Sequence, residues 1–184
     1  MNGKELEIRI YSLATTMTDA IVFLEELNGI RLLPIWIGPV EGQAIAIKFS
    51  GIPLPRPFTH DLLLSIITAT KRKITRIVID KVVDNTYYSS IYMADEGGEV
   101  TVIDSRPSDA IALAVRAGCP MYITETVFEA SQVLNKPISE DEVKDFKSKI
   151  QHITPQDIFG DLKKKENGNP DGPGTDGSGP DQAK

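Results

Sequence analysis

The sequence predicts an α+β protein built on one mixed, curled β-sheet with helices packed on it and a further helix near the C-terminus. Two observations carry this prediction: a set of three strands followed by a helix occurs twice along the chain, and a helical pattern follows near residue 145. Strands and helices grouped in this way are typical of the α+β class. With 184 residues, of which 41% are hydrophobic, the chain can bury a sizeable core in one globular domain.

The first half of the chain reads as three strands and two helices. "ELEIRIYSL" alternates apolar and polar residues, which indicates a strand with one wet face. Asn28-Gly29 lies between two apolar runs and favours a type I′ hairpin turn, in which both central residues take positive φ. "PVEGQAIAIKFSG" predicts a helix ended by Gly51, and "THDLLLSIITATKRK" predicts a second helix with Thr59 as its N-cap.

The second half repeats this order. "ITRIVIDKVV", "NTYYSSIYMAD" and "EVTVID" are rich in β-branched and aromatic residues and predict three strands. "PSDAIALAVRAG" predicts a helix that is closed by Gly118 and stopped by Pro120. "MYIT" then predicts a short strand, and "VFEASQVL" a short helix.

A likeness between the two halves favours an internally duplicated unit of strands, hairpin and helix. "IGPVEGQAIAI" (37–47) matches "IDSRPSDAIAL" (103–113) at an offset of 66, and both segments contain Ala-Ile-Ala. Two similar strand-to-helix turns would produce the same likeness by chance. The matched order of elements favours duplication, with each half supplying three strands to one sheet.

Three regions follow from the composition: a folded domain over 1–135, a helical extension over 136–165 and a tail over 166–184. In the extension, "SEDEVKDFKSKI" places Val143, Phe146 and Ile150 at helical spacing. The tail is dense in Gly, Pro and Asp and has almost no apolar side chains. Such a segment cannot offset its own ordering entropy, so the tail is predicted to be disordered.

Cysteine content and targeting signals exclude several classes of protein. With one cysteine, Cys119, the chain can build neither an internal disulfide framework nor a thiolate zinc site. The first residues contain no apolar run typical of a signal peptide, and no window approaches the roughly 18 apolar residues of a membrane span. We therefore expect a cytoplasmic protein.

The charge balance argues against a strong non-specific nucleic-acid binder. The net charge is −6, of which −3 lies in the tail and −3 in the remaining body. Non-specific binders usually carry a basic excess. "TKRKITR" (70–76) is the basic run of the body, and we expect it to form a solvated turn.

The stretch "DSRPSDAIALAVRAGCP" (104–120) places charged and hydroxyl side chains just before an apolar helix. Asp104 or Ser105 as N-cap, and Asp109 in the first turn, would suit the start of that helix. Arg106 does not fit this explanation, because the helix dipole disfavours a cation there. It needs a carboxylate partner, such as Asp104 or Asp109, or a bound anion such as phosphate. The stretch is thus compatible with two roles: an N-cap that only starts the helix, or a functional site that binds an anion.

A second cluster, "RPFTHDLL", places His60 and Asp61 in the first turn of the preceding helix. The helix N-terminus biases the imidazole toward its neutral form, which suits a general base or a metal ligand. A histidine exposed on the surface of the first turn, without any function, would give the same sequence pattern. Oxygen-rich ligation suits Mg²⁺ or Mn²⁺, and four acids qualify without a diagnostic spacing: Glu41, Asp61, Asp104 and Asp109.

Three motifs, "LPIWIGPVEGQAIAI", "RPFTHDLL" and "SRPSDAIALAVRAGCPMYIT", resemble the bifunctional nuclease domain family in its stand-alone bacterial form. The resemblance covers roughly residues 5–135. It implies a nuclease acting on both RNA and DNA, with an α+β fold and a mixed, curled sheet. The motif positions of the family map onto Glu41, Arg56, His60, Asp61, Ser105, Arg106, Ser108 and Asp109.

The leading hypothesis is therefore a nuclease, a metal-assisted phosphodiesterase using Mg²⁺ or Mn²⁺ and no organic cofactor. We expect its catalytic residues to be His60, Asp61, Ser105, Arg106, Ser108 and Asp109, and its metal ligands to be Glu41, Asp104 and Asp109. His60 or a metal-bound water would supply the nucleophile, and Arg106 would clamp phosphate. One site requires the helix starts near Thr59 and Ser105 to converge, with His60 within about 15 Å of Arg106.

The alternative is a non-enzymatic module that binds a small anionic ligand or a protein partner. The acidic body and the absence of a diagnostic catalytic spacing favour it. A homo-oligomer is also compatible with the sequence, because Tyr87, Tyr88 and Tyr92 suit either an interface or the core.

Overall fold

The computed structural model describes residues 3–15, 18–137 and 140–150. Within them lie eight strands: β1 (Glu5–Thr15), β2 (Ala20–Glu26), β3 (Arg31–Ile37), β4 (Arg72–Val83), β5 (Thr86–Asp95), β6 (Val100–Ser105), β7 (Met121–Thr124) and β8 (Leu134–Asn135). The same residues form five helices: α1 (Pro39–Phe49), α2 (Thr59–Ala69), α3 (Pro107–Ala117), α4 (Glu125–Ala130) and α5 (Glu140–Ile150).

All eight strands belong to one sheet in the order β6-β5-β4-β7-β1-β2-β3-β8. β4 and β7 pair in parallel, and the other neighbours pair antiparallel. The predicted α+β class and the mixed sheet are therefore confirmed. Helix α5 lies in the predicted C-terminal extension; residues 151–184, with the predicted tail, lie outside the described residues.

The sheet contains two antiparallel three-stranded units, β1-β2-β3 and β4-β5-β6, which β7 joins. One residue links each unit to its helix: Gly38 precedes α1 and Arg106 precedes α3. Both helices have 11 residues, and Pro107 follows Pro39 by 68 positions. The helices thus correspond at an offset of 68 rather than the 66 read from the sequence. A duplication as the origin of the two units stays a prediction.

The hairpin predicted at Asn28-Gly29 exists, but its turn is not of the predicted type. Neither residue has positive φ. The link between β2 and β3 spans residues 27–30, and so long a loop does not require a type I′ turn. Positive φ occurs instead at Asp84 (48°) and Asn85 (59°), which alone join β4 to β5.

The helix ends follow the glycine signals, but the helix starts differ from prediction. Gly51 and Gly118 take positive φ, at 69° and 66°, just after α1 and α3. The N-cap of α2 is Phe58 rather than Thr59, and that of α3 is Arg106 rather than Asp104 or Ser105. The reason at α3 is that β6 runs through Ser105, so only Arg106 is left to link strand and helix.

The main core lies between the sheet and helices α1 and α3. Its centre includes fully buried side chains from five elements: Leu24, Ile45, Ile77, Leu113 and Ile123. Helix α1 approaches β2 so closely that a Cβ on Gly42 would lie 2.3 Å from the Cβ of Ala20. On the opposite sheet face, the ring of Phe146 in α5 meets the ring of Phe23 edge-on at 5.6 Å.

The basic run and the tyrosines lie in the β4-β5 region. The predicted solvated turn is right for Lys71, at a positive φ of 58°, but wrong for the residues after it, because β4 begins at Arg72. Arg76 is half-buried, pairs with Glu5 and lies 4.1 Å from the ring centroid of Tyr92. Tyr87 packs against the core, whereas Tyr88 is exposed. No helix of the described part is long and apolar enough to cross a membrane.

Candidate functional site

The N-terminal ends of α1, α2 and α3 converge on one cavity of about 480 Å³, called here the helix-start cavity. Its lining comes from all three helix starts: Val40, Glu41, Gln43, Ala44, Pro57, Phe58, Thr59, His60, Arg106 and Asp109. The single-site hypothesis required the starts of α2 and α3 to meet. They do so at contact distance, because His60 Nε2 lies 3.3 Å from Asp109 Oδ1.

Arg106 binds two carboxylates at the mouth of this cavity. Its Nε donates to Asp109 Oδ2 at 2.8 Å, and its Nη2 to Asp109 Oδ1 at 3.1 Å. Its Nη1 donates to Glu41 Oε1 at 3.0 Å. The hydrogen bonds to Asp109, followed by the single one to Glu41, raise the pKa of Arg106 above its ordinary value. The partner that the sequence required for Arg106 is therefore Asp109 together with Glu41.

Asp109 is shared between Arg106 and His60. Burial alone would raise the pKa of Asp109, but hydrogen bonds from Arg106 and His60 outweigh it, so that the pKa lies below its ordinary value. The carboxyl is thus ionised at neutral pH. The His60 side chain is only 12% exposed, yet it lines the cavity and is held there by Asp109.

Asp61, although adjacent to His60, belongs to a different group. Arg116 Nε donates to Asp61 Oδ1 at 2.9 Å, and the Arg116 side chain is only 2% exposed. Arg116 also donates to the carbonyl oxygens of Ala112 (2.9 Å) and Ala44 (3.1 Å). One buried guanidinium therefore ties α1, α2 and α3 together and fixes how their N-terminal ends meet.

The Asp61 carboxylate has a second role at the start of α2. Its Oδ2 accepts a hydrogen bond from the backbone N–H of Phe58 at 3.0 Å. Burial would raise the pKa of Asp61, but the Phe58 N–H, Arg116 and nearby Lys48 outweigh it and lower the pKa. Asp61 therefore belongs to a hydrogen-bond network that joins the helices, and it does not line the helix-start cavity.

The predicted serines and Asp104 also lie away from the helix-start cavity. The Ser105 hydroxyl lies 2.9 Å from that of Ser89 and donates to the Ser89 carbonyl at 3.2 Å. Ser108 is 5% exposed within α3. Asp104 is exposed on the edge strand β6, and its side chain points to the sheet face opposite that of Ser105. None of the three lines this cavity.

Of the predicted metal ligands, Glu41 and Asp109 meet at Arg106, whereas Asp104 lies apart on β6. The described residues contain no group of three or more His, Cys, Asp or Glu side chains placed to hold a metal ion. Arg106 bonds to oxygens of both Glu41 and Asp109. As placed, these residues do not fit a metal site, and the need for Mg²⁺ or Mn²⁺ stays a prediction.

The sequence does indicate the role of Glu41, but only when the two halves are aligned at an offset of 68 instead of 66. At the offset of 68, Glu41 corresponds to Asp109 and Lys48 to Arg116. The acid at the third residue of α1, Glu41, and the acid at the third residue of α3, Asp109, therefore both contact Arg106. The residue that corresponds to Arg106 is Gly38, where a Cβ would lie 2.2 Å from Glu41 Oε2. Glycine there leaves room for the Glu41 carboxylate.

A second cavity, of about 350 Å³, lies on the other side of the α2 start and is called here the proline-loop cavity. Its charged lining residues are Lys48, Arg56, Asp61 and Arg116. The loop between α1 and α2 contributes Pro53, Pro55 and Pro57, and Pro57 also lines the helix-start cavity.

The family model of the bifunctional nuclease domain matches residues 22–136. This range contains the whole Arg106 network and both cavities. The chain belongs to the bifunctional nuclease domain family. The residues that converge at the helix starts are thus part of the family's domain, and the C-terminal helix α5 lies outside the matched range.

Curated relatives of this bifunctional nuclease domain protein come from bacteria and plants. An uncharacterized protein of Mycobacterium tuberculosis (strain CDC 1551 / Oshkosh) is 33% identical over 163 residues, covering 83% of this chain and 97% of the relative. Bifunctional nuclease 1 of Oryza sativa subsp. indica is 28% identical over 110 residues. That match covers 59% of this chain and 33% of the rice protein.

Proposed function

We propose that this protein is a nuclease that hydrolyses phosphodiester bonds of RNA and DNA in the helix-start cavity. Membership of the bifunctional nuclease domain family and the similarity to the rice nuclease support a nuclease-like role. The single observation that carries the proposal is the contiguous group His60, Asp109 and Arg106 on one cavity. It combines a proton acceptor, its orienting carboxylate and a cation, which are the groups that phosphoryl hydrolysis requires.

His60 is proposed as the general base. In the tautomer that carries its proton on Nε2, the ring donates to Asp109 Oδ1 and leaves Nδ1 as an acceptor. Asp109 would hold that tautomer and stabilise the imidazolium once His60 takes a proton from the attacking water. The water oxygen bonds to phosphorus, the P–O bond to one sugar oxygen breaks, and that leaving oxygen takes a proton from solvent. Asp109 therefore positions the base and is not itself the proton acceptor.

Arg106 is proposed to stabilise the charge on the phosphoryl oxygens. Its side chain is 66% exposed, so a substrate can reach it, and Asp109 holds it by two parallel hydrogen bonds. An anchored guanidinium is pre-organised to donate to an oxyanion that gains charge in the transition state. The N-terminal ends of α1, α2 and α3, which favour anions, open on the same cavity.

Cleavage of both RNA and DNA constrains the nucleophile. DNA lacks the 2′-hydroxyl, so one mechanism for both polymers must use water rather than the neighbouring sugar oxygen. His60 can activate such a water without any contact to the ribose. No step of this mechanism is assigned to Mg²⁺ or Mn²⁺, because the residues as placed do not fit a metal site.

The alternative function is that of a protein-binding module. Helix α2 has no fully buried residue, and Leu62, Leu63 and Ile66 are 40–54% exposed on it. An apolar helix face of this kind suits a protein partner. The cleavage experiment separates the two functions, because a binding module has no turnover.

The experiment is a cleavage assay on labelled single- and double-stranded RNA and DNA, with Mg²⁺, Mn²⁺ or EDTA. Wild type is compared with His60→Ala and Asp109→Asn, and with Asp84→Asn in the exposed β4-β5 turn as the matched control. Cleavage that is lost in the first two variants and kept in the control supports the nuclease. Equal cleavage in all four proteins, or none in any, contradicts it; loss of cleavage in EDTA supports the metal prediction.

A further inference from the structure

We propose that the proline-loop cavity is a second phosphate subsite, which binds a backbone phosphate next to the one that is cleaved. This inference rests on the proposed nuclease function and names the part of the substrate that lies beyond the reacting bond. It assigns binding roles to Lys48 and Arg56, which take no part in the Arg106 network.

The charge of the proline-loop cavity carries the inference. Lys48, Arg56 and Arg116 are cationic there and Asp61 is anionic. Arg116 is neutralised by its ion pair with Asp61. Lys48 and Arg56 are exposed, and neither makes an ion pair or side-chain hydrogen bond in the described part of the chain. Three cations against the single carboxylate of Asp61, to which Lys48 is also close, leave this lining with two net positive charges.

The helix-start cavity lacks this excess of positive charge. Glu41 and Asp109 both face Arg106, so the three groups together carry one net negative charge when His60 is neutral. A polyanion would gain little affinity from that cavity alone. Cations beside it are therefore needed to hold nucleic acid, and Lys48 and Arg56 are placed to supply them.

The geometry puts the two cavities next to each other along one path. Pro57 lines both of them. His60 and Asp61 are consecutive in the first turn of α2, and His60 lines one cavity while Asp61 lines the other. A nucleic-acid strand that has one phosphate at Arg106 can pass the start of α2 and place its neighbouring phosphate at Lys48 and Arg56.

The loop that carries Arg56 is stiffened by its sequence. "IPLPRPF" has proline at 53, 55 and 57, on both sides of Arg56, and each ring fixes its own φ. A restricted loop loses less conformational entropy when a phosphate binds. Arg56 can then donate to two phosphate oxygens at once, with Lys48 as a point charge beside it.

The test measures binding and turnover separately. Lys48→Gln, Arg56→Gln and the double variant are made, with Lys73→Gln on the exposed side of β4 as the charge-matched control. Binding of a labelled single-stranded oligonucleotide is measured by fluorescence anisotropy at several salt concentrations, each variant also carrying His60→Ala to prevent cleavage. We expect each substitution to weaken binding roughly tenfold. We also expect the slope of log Kd against log salt to fall by about one for each contact removed, with no change for the control.

Turnover is compared on the oligonucleotide and on bis(4-nitrophenyl) phosphate, which has only one phosphate. We expect kcat/KM to fall at least about tenfold more on the oligonucleotide than on the small substrate. An equal fall on both substrates, or an unchanged Kd and salt slope, overturns the subsite. If wild type cleaves neither substrate, the proposed nuclease fails, and the anisotropy data alone decide whether Lys48 and Arg56 bind phosphate.

Discussion

Arg106 and Asp109 are joined by two hydrogen bonds, of 2.8 and 3.1 Å, across the first turn of α3. The same carboxylate lies 3.3 Å from His60 of α2. One acid thereby orients both the cation and the imidazole of the helix-start cavity. Asp109 is the residue on which the proposed chemistry depends most directly.

Asp109→Asn is expected to lower kcat on RNA and DNA by at least about a hundredfold. The amide has nearly the same size but cannot stabilise imidazolium or form the charge-assisted pair with Arg106. The measurement is single-turnover cleavage, with the melting temperature as a check on folding. Wild-type turnover by a folded Asp109→Asn protein would remove Asp109 from the mechanism.

Gly38→Ala is expected to act through Glu41. The φ of Gly38 is −64°, so alanine suits the backbone, but its Cβ would lie 2.2 Å from Glu41 Oε2 and displace that carboxylate from Arg106. We expect Gly38→Ala and Glu41→Gln each to lower kcat/KM by about tenfold, because Arg106 loses one of its two anchors. The double variant should fall no further, since both changes break one contact. Additive losses would show that Gly38 acts in another way.

The elements of the fold were largely predictable because their signals are local. Glycine and proline mark the ends of α1 and α3, and β-branched residues mark the strands. The turn type at Asn28-Gly29 was wrong because loop length, and not residue type alone, selects the turn. Asp84-Asn85 meets the two-residue requirement and takes the positive φ.

The site was predictable only in part, because side-chain partners depend on helix packing. The dipole argument showed that Arg106 needs a carboxylate or a bound anion, and it named Asp104 and Asp109 as candidate carboxylates, of which Asp109 is a partner. It could not name Glu41, which lies 65 residues away and reaches Arg106 only because α1 packs on α3. Asp61 follows His60 directly, yet with 3.6 residues per turn the two side chains point in different directions.

Asp61→Asn is expected to destabilise the fold by about 2 kcal/mol. Arg116 would keep its two carbonyl acceptors but lose its counter-charge, and its side chain is only 2% exposed. The free energy of unfolding in urea measures the effect. The same chemical change in the exposed Asp84→Asn control should stay within about 0.5 kcal/mol. Equal stabilities for both variants would show that the Arg116 pair contributes nothing to the junction of the helices.

Stability is expected to fall as the solution becomes acidic. The pKa values of Asp61 and Asp109 are lower in the folded protein than their ordinary values, so the unfolded chain takes up protons first as pH falls. The stabilisation is present above the ordinary carboxyl pKa, near 4, and is lost as pH falls through the folded values. Melting temperatures between pH 7 and pH 2 should therefore decline below about pH 5, and less steeply in Asp61→Asn. A parallel decline in the variant would exclude Asp61 as a contributor.

RNA cleavage is expected to leave linear phosphate ends and no 2′,3′-cyclic phosphate. A water activated by His60 attacks phosphorus directly, whereas attack by the ribose 2′-oxygen would close the cyclic ester. An RNA substrate with 2′-O-methyl groups should accordingly be cut within about threefold of the rate for the unmodified strand, since no step uses the 2′-hydroxyl. Mass spectrometry of the products and the rate on the methylated strand check this together. Cyclic products, or a methylated strand that resists cleavage, would mean that the ribose supplies the nucleophile and that RNA and DNA cannot share one mechanism in this cavity.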